Sequence, residues 1–237
     1  MMYFKICPSI RYEEVGVFTQ IQTPLHNNST YEELYPSPSV DGKIADDFQF
    51  ATYKMHHLAK WTDYISCVFL DDMLLISARA LSLFKSKNIA DFQAFPVPIV
   101  KGKKEIVYNA FFIPYYNYKD DFIDWEKSRF SIAKGYEYVP GRQPFRREIA
   151  EIQVQNLDDY RGKVKKIITD SNREQSLVYK VIAITQKIQL DLFRVYGPEY
   201  NGYYCSENFK ESIQNAGLTG FSFTEIPTVL QNTNIIV

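Results

Sequence analysis

The sequence predicts an α+β protein of mostly antiparallel sheets with few helices, built around two related strand–helix–strand units at about residues 74–98 and 203–227. Three observations predict it. Short runs rich in β-branched and aromatic residues recur between turn signals along most of the chain. Only two segments combine a favoured helix cap with helical spacing of apolar positions. These two segments align without a gap at an offset of 129 residues.

Taken in order, the strand-like runs are 3–7, 64–70, 73–76, 92–99, 105–113, 149–154, 164–169, 178–184 and 190–196. Asp71-Asp72 and residues 100–103, Val-Lys-Gly-Lys, read as hairpin connections. Residues 20–47 are rich in Pro, Asn, Ser and Asp and read as a long surface connection, and 134–147 as a second irregular stretch. In the aligned segments a short apolar strand leads to Ser77 or Ser206, each a favoured helix N-cap. Ala80 and Phe84 then match Phe209 and Ile213. Asn88 and Gly217 share one position and are read as left-handed helix stops. Phe92 and Phe221 begin the closing strands, which run to Pro98 and Pro227. Three of the 25 aligned pairs are identical, so the relation rests on caps, stops and apolar positions falling in register. The expected organisation is one domain over 1–237, with two pseudo-repeated lobes, about 1–115 and 116–237, as its variant.

Composition narrows the function. Of 237 residues 18 are Tyr, 17 Phe and 2 Trp, enough apolar material to offset the chain entropy lost on folding. Net charge is −1, against the strongly basic footprint of a nucleic-acid binder. The total hides an acidic start, −5 over 1–72, and a basic middle, +5 over 101–187. Three cysteines with no Cys-x-x-Cys suggest reduced thiols in a cytoplasmic protein, with neither a disulfide framework nor a zinc site. No signal-peptide layout and no apolar run near the ~20 residues of a membrane span are visible.

Catalytic signatures are sparse. Gly197 and Gly202 are not followed by the lysine of a phosphate-binding loop, and no Gly-x-Ser-x-Gly elbow occurs. His56 and His57 are adjacent and would point to different faces, whereas a helical metal pair needs a spacing of three or four. Asp120, Asp121, Asp124 and Glu126 form the densest acidic group, which either holds a divalent cation for hydrolysis or turns the chain into a buried anchor at Trp125. Lys163, Lys165 and Ile167 alternate with Val164, Lys166 and Ile168, a cationic row if this is a strand. Tyr115, Tyr116 and Tyr118, beside Asp120 and Asp121, are candidate partner contacts, since tyrosine is favoured at interfaces.

Residues 204–223 read Tyr-Cys-Ser-Glu-Asn-Phe-Lys-Glu-Ser-Ile-Gln-Asn-Ala-Gly-Leu-Thr-Gly-Phe-Ser-Phe, and 124–128 read Asp-Trp-Glu-Lys-Ser. The first resembles the C-terminal signature of a family of bacterial polymorphic-toxin immunity proteins, in which a Ser-capped helix leads into Ala-Gly-Leu-Thr-Gly and an aromatic strand. The second is similar to a shorter motif of that family, and the resemblance covers about residues 65–227. It implies a cytosolic, non-enzymatic protein without cofactor that binds and blocks a cognate protein toxin. The motif residues Ser77, Asn88, Phe92, Trp125, Ser128, Ser206, Phe209, Gly217, Gly220 and Phe221 are expected to be structural. A metal-dependent hydrolase working through Asp120–Glu126, or a module regulating some other protein, is the alternative.

Overall fold

The computed structural model describes residues 2–25, 42–70, 72–114, 123–137, 145–181, 183–184, 189–195 and 202–226. Among these the order is β1 (Tyr3–Pro8), α1 (Tyr12–Val15), β2 (Ile21–Pro24), β3 (Tyr53–Met55), β4 (Tyr64–Ile65), β5 (Leu74–Ile76), α2 (Ala78–Lys85), β6 (Gln93–Lys101), β7 (Lys104–Phe112) and β8 (Arg129–Glu137). There follow β9 (Phe145–Ile152), α3 (Leu157–Asp170), β10 (Gln175–Val181), β11 (Leu192–Val195), β12 (Gly202–Ser206), α4 (Glu207–Asn215) and β13 (Phe221–Ile226). The fold is α+β and dominated by antiparallel sheet; β3 and β6 pair in parallel. No helix among the described residues is long and apolar enough to cross a membrane.

The described residues form two compact units. The larger holds the elements up to β7 together with β11, β12, α4 and most of β13; the smaller holds β8, β9, α3 and β10. Both strand–helix–strand segments therefore lie in the larger unit, which the chain leaves after β7 and re-enters at β11. That differs from lobes meeting at about residue 115.

Within the larger unit the duplication extends beyond the aligned segments. One sheet has the order β11-β12-β1-β13, and the other contains β4-β5-β7-β6, continued by β3 and β2. Strand for strand the two match: β4 with β5 and β11 with β12 are antiparallel neighbours, and so are β5 with β7 and β12 with β1. In the first copy the strand in this place is β7, delivered by a hairpin that turns at Gly102-Lys103 between paired Lys101 and Lys104. In the second copy β1 takes that place, so Tyr3 pairs with Ser206 across nearly the whole chain.

The helices carry the apolar spacing expected of them. Ala80, Leu81 and Phe84 of α2 and Phe209 and Ile213 of α4 are buried. Phe84 meets Phe209 at 4.9 Å and Phe111 at 5.3 Å, both edge-to-face, and Phe221 at 6.2 Å. Fully burying one such ring contributes about 1.5–3 kcal/mol, and the ring contacts add to it. A second cluster, including Ile21, Tyr53, Met55, Ile65, Leu75, Val97, Ile99 and Phe112, belongs to the six-stranded sheet. Arg194 of β11 is fully buried and pairs with Asp72 at 2.6 Å, its guanidinium lying over Phe112 and Tyr203. The Tyr203 hydroxyl lies within donating distance of the Asp72 and Phe111 carbonyls, at 3.0 and 3.1 Å.

The smaller unit packs α3 on the sheet β10-β8-β9. Here the sequence reading needs correction: residues 164–169 are helical, not a strand with a cationic row. The Asn156 side chain accepts the Asp159 N–H at 2.8 Å as an N-cap, and the apolar residues Leu157, Tyr160, Val164 and Ile167 recur at helical spacing. Asp159 also receives Lys163 at 2.6 Å, one helical turn on. The two-residue alternation from 163 to 168 was a short window on this longer period. The expected irregular stretch at 134–147 likewise contains the ends of two strands, β8 and β9.

Asn88 needs a second correction. It is not a left-handed helix stop, because the non-glycine residues with positive φ among those described are Asn172 and Arg173. Helix α2 instead ends at Ser86, whose backbone N–H reaches the Leu83 and Phe84 carbonyls. Gly217 does stop α4 as expected, with φ of +61°, and Gly220 has φ of +86°. The two glycines differ in surroundings: a Cβ on Gly217 would meet open space, whereas one on Gly220 would fall 2.1 Å from the Tyr64 carbonyl oxygen.

This contrast yields an expected outcome. Gly217→Ala should cost about 1–2 kcal/mol, the ordinary left-handed penalty. Gly220→Ala adds a backbone collision that no rotamer relieves, and should cost at least twice as much in urea denaturation. Equal denaturation midpoints would contradict the close approach at Gly220.

Candidate functional site

Tyr115, Tyr116, Tyr118, Asp120 and Asp121, the expected partner contacts, lie outside the described residues. What is described of the acidic group is a local turn. The Asp124 carboxylate accepts both the Lys127 ammonium at 2.6 Å and the Lys127 N–H at 3.1 Å. The hydrogen bond from the Lys127 side chain holds its carboxyl below the ordinary range. Ser128 is buried, donates its N–H to the Asp124 carbonyl and accepts the Ala183 N–H on its hydroxyl at 3.1 Å. Trp125 is half-buried and stacks on Phe130 at 5.8 Å. Glu126 is exposed. Residues 124–128 thus fasten one end of the smaller unit's sheet to an aromatic cluster of Phe130, Tyr160 and Tyr179.

The motif residues of the larger unit are organised by two aspartates that sequence reasoning did not single out, Asp63 and Asp191. Ser77 caps α2 by accepting the Ala80 N–H, and Ser206 caps α4 by accepting the Phe209 N–H. Each hydroxyl then donates onward, Ser77 to Asp63 Oδ1 at 2.7 Å and Ser206 to Asp191 Oδ1 at 2.8 Å. Each serine N–H also reaches the carbonyl of the same aspartate, at 2.8 and 2.9 Å. The second carboxylate oxygens cross to the other copy. Asp63 Oδ2 accepts the Thr219 N–H at 2.9 Å, just beyond α4, and Asp191 Oδ2 accepts the Asn88 N–H at 3.2 Å, just beyond α2. This is the place of Asn88: its side-chain amide donates to the Gln189 carbonyl, and its own carbonyl accepts the Asp191 N–H.

Arg79 completes the first clamp, bonding Asp63 at 2.8 Å and the Gly217 carbonyl at 2.9 Å. Burial alone would raise the Asp63 carboxyl, but hydrogen bonds from Arg79, the Thr219 N–H and Ser77, with the Arg79 charge, outweigh it and hold it below the usual value. Phe221 is buried against Tyr64 and Phe84. Phe92 is half-buried and stacks on Phe111 at 4.8 Å.

The larger unit also carries an open cleft of about 790 Å³. Its walls come from three separate stretches: Gln22 and Thr23 of β2, residues 54–57 with Trp61, and the hairpin residues Lys101, Gly102 and Lys104. Among the described residues three lysines line it and no carboxylate does. Lys54 and Lys104 are exposed, while Lys101 bonds the Ala59 carbonyl. Trp61 stacks with Tyr108 and lies under the Lys104 ammonium, 5.7 Å from the ring centre. His56 Nδ1 accepts the Leu58 N–H, which leaves the proton of the neutral ring on Nε2. His56 and His57 rings lie 4.4 Å apart, so the adjacent histidines share a wall of this cleft instead of facing apart as the sequence suggested. A second cleft, of about 720 Å³ in the smaller unit, is lined by Trp125, Glu126, Arg129 and Glu151 among others and mixes both signs of charge.

Among the described residues no group of three or more His, Cys, Asp and Glu could hold a metal ion. Set against known protein families and against curated proteins, the chain matches none.

The Asp63 clamp has a pH consequence. A carboxyl held low in the folded state contributes stability that is present above its unfolded value, about 3.9, and is lost as pH falls through its lower folded value. Asp63→Asn should be less stable at pH 7 by about 2 kcal/mol, and its melting temperature should fall less steeply than wild type between pH 4 and pH 2.5. Parallel acid limbs would remove Asp63 from this role.

Proposed function

We propose that this protein is a non-enzymatic, cytosolic inhibitor that neutralises a cognate bacterial toxin by forming a one-to-one complex with it. The observation that carries the reading is what the stretch 203–223, which resembles an immunity-protein signature, does in the fold. Ser206 caps a helix, Gly217 stops it, and Gly220 sits against the Tyr64 carbonyl where no side chain fits. A signature of this kind describes a frame, and a frame held this tightly suits a protein that presents a preformed surface to a partner, where little ordering entropy is lost on binding. The described part of the acidic group supports a structural role in the same way. The Asp124 carboxylate is engaged by Lys127, its carbonyl by the Ser128 N–H, and Glu126 is exposed, which supports a turn over an acid–base pair.

Co-expression with the protein encoded beside it tests the proposal. Growth should be rescued from that protein's toxicity, and the two chains should elute together from gel filtration in equal amounts. Absence of both rescue and complex would sink the reading.

A further inference from the structure

We propose that the cleft between β2, residues 54–61 and the β6–β7 hairpin is the docking site for an acidic, extended segment of a protein partner. The charged side chains among the described lining residues are all cationic: Lys54, Lys101 and Lys104 contribute ammonium groups, and His56, whose Nδ1 accepts the Leu58 N–H, adds a ring nitrogen. Apolar surface adjoins the charge: Leu58, 53% exposed, directly follows the lining residue His57, and Trp61 and Met55 line the cleft itself. Positive groups beside exposed apolar surface suit a peptide that alternates carboxylates with apolar side chains, because charge complementarity guides encounter while apolar contact adds affinity.

Other anions fit less well. A nucleobase needs a free aromatic plane, and the Trp61 ring is already engaged by Tyr108 and by the Lys104 ammonium. Phosphate sites usually add a helix N-terminus or a nest of backbone N–H groups. The walls here are strand, loop and hairpin, with no helix end among the described lining residues. The ammonium groups stand on flexible stems from three separate segments. They can follow carboxylates spaced along a chain more readily than they can converge on one phosphate.

The inference rests on the proposed role as inhibitor of a protein, and the two can fail separately. The probe is a fluorescently labelled decapeptide of alternating Glu and Leu, titrated into the full chain at low salt, with the double variant Lys54→Glu/Lys104→Glu and the control Lys103→Glu. Lys103 is an exposed lysine of the same hairpin outside the lining, so it reports non-specific charge. The wild-type chain and the control should bind the peptide. The double variant should bind at least about tenfold more weakly, and wild-type binding should weaken as salt rises from 50 to 300 mM. The control should melt like the wild type, and the double variant should stay folded with at most a small loss from the Lys104–Trp61 contact, since the altered residues are exposed. Equal binding by the double variant, equal loss in the control, or no peptide binding by the wild type would each overturn the assignment. So would displacement of the peptide by inorganic phosphate or by a short single-stranded RNA at comparable concentration. A toxin complex that the double variant holds at wild-type strength would overturn the cleft and leave the inhibitor role standing. Peptide binding through the cleft without any toxin complex would support the cleft and overturn the role.

Discussion

The larger unit depends on a pair of aspartates that each do two jobs with one carboxylate. Asp63 and Asp191 hold the cap serine of their own copy with one oxygen and take a backbone N–H from just beyond the other copy's helix with the second. A helix cap alone fixes where a helix starts. A cap whose hydroxyl is itself held by a carboxylate that also grips the neighbouring copy fixes where the helix lies relative to that neighbour. Hydrogen bonds to a charged acceptor are worth about 1.5–3 kcal/mol each, so the crossed arrangement is a major share of the unit's marginal stability. It explains why Ser77 and Ser206 matter beyond the few residues they cap, and why Phe84 and Phe209 meet at one defined distance.

The same duplication places an unusual demand on the chain. The first copy is complete within a contiguous stretch, because the Gly102-Lys103 turn delivers β7 beside β6. In the second copy β1 takes that place, and its partner residues 203–206 lie about two hundred positions further along the chain. Closing so long a loop costs entropy that local hairpins avoid. Compensation is concentrated where β1 joins. Glu14, just after it, accepts the Gly220 N–H at 2.7 Å and the Ser9 hydroxyl at 2.7 Å, while Ser9 donates its N–H to the Gly220 carbonyl at 2.8 Å. The backbone at Gly220 is thus gripped from both the N-terminal segment and the Tyr64 region, and the lack of a side chain there is what allows both.

Local chemistry was readable in the sequence and long-range chemistry was not. Ser77, Ser206 and Gly217 announce themselves because capping and stopping are decided within a few residues. Asn88 misled because its residue type permits a left-handed turn, while its actual task is to bond residues 189 and 191, about a hundred positions away. Helix α3 was missed because a six-residue alternation outweighed a longer helical period that only Asn156 and Leu157 bring into view. Strands β2 and β3 are too short to announce themselves by pattern, and they pair only because the six-stranded sheet provides a place. The aspartates are invisible to spacing, since nothing in the stretch around Asp63 indicates Thr219.

Charge shows the same division between chain and space. Summed along the sequence, the acidic first 72 residues and the basic middle suggest two oppositely charged regions. The cleft ignores that boundary: Lys54 comes from the acidic stretch, and Lys101 and Lys104 from the start of the basic one. Two carboxylates of the acidic stretch are engaged within the frame, Glu14 with Gly220 and Asp63 with Ser77, Arg79 and Thr219, while the exposed Glu105 directly follows Lys104. A group of three lysines on an almost neutral protein therefore arises where separate segments meet in space, and not from a charged run of sequence.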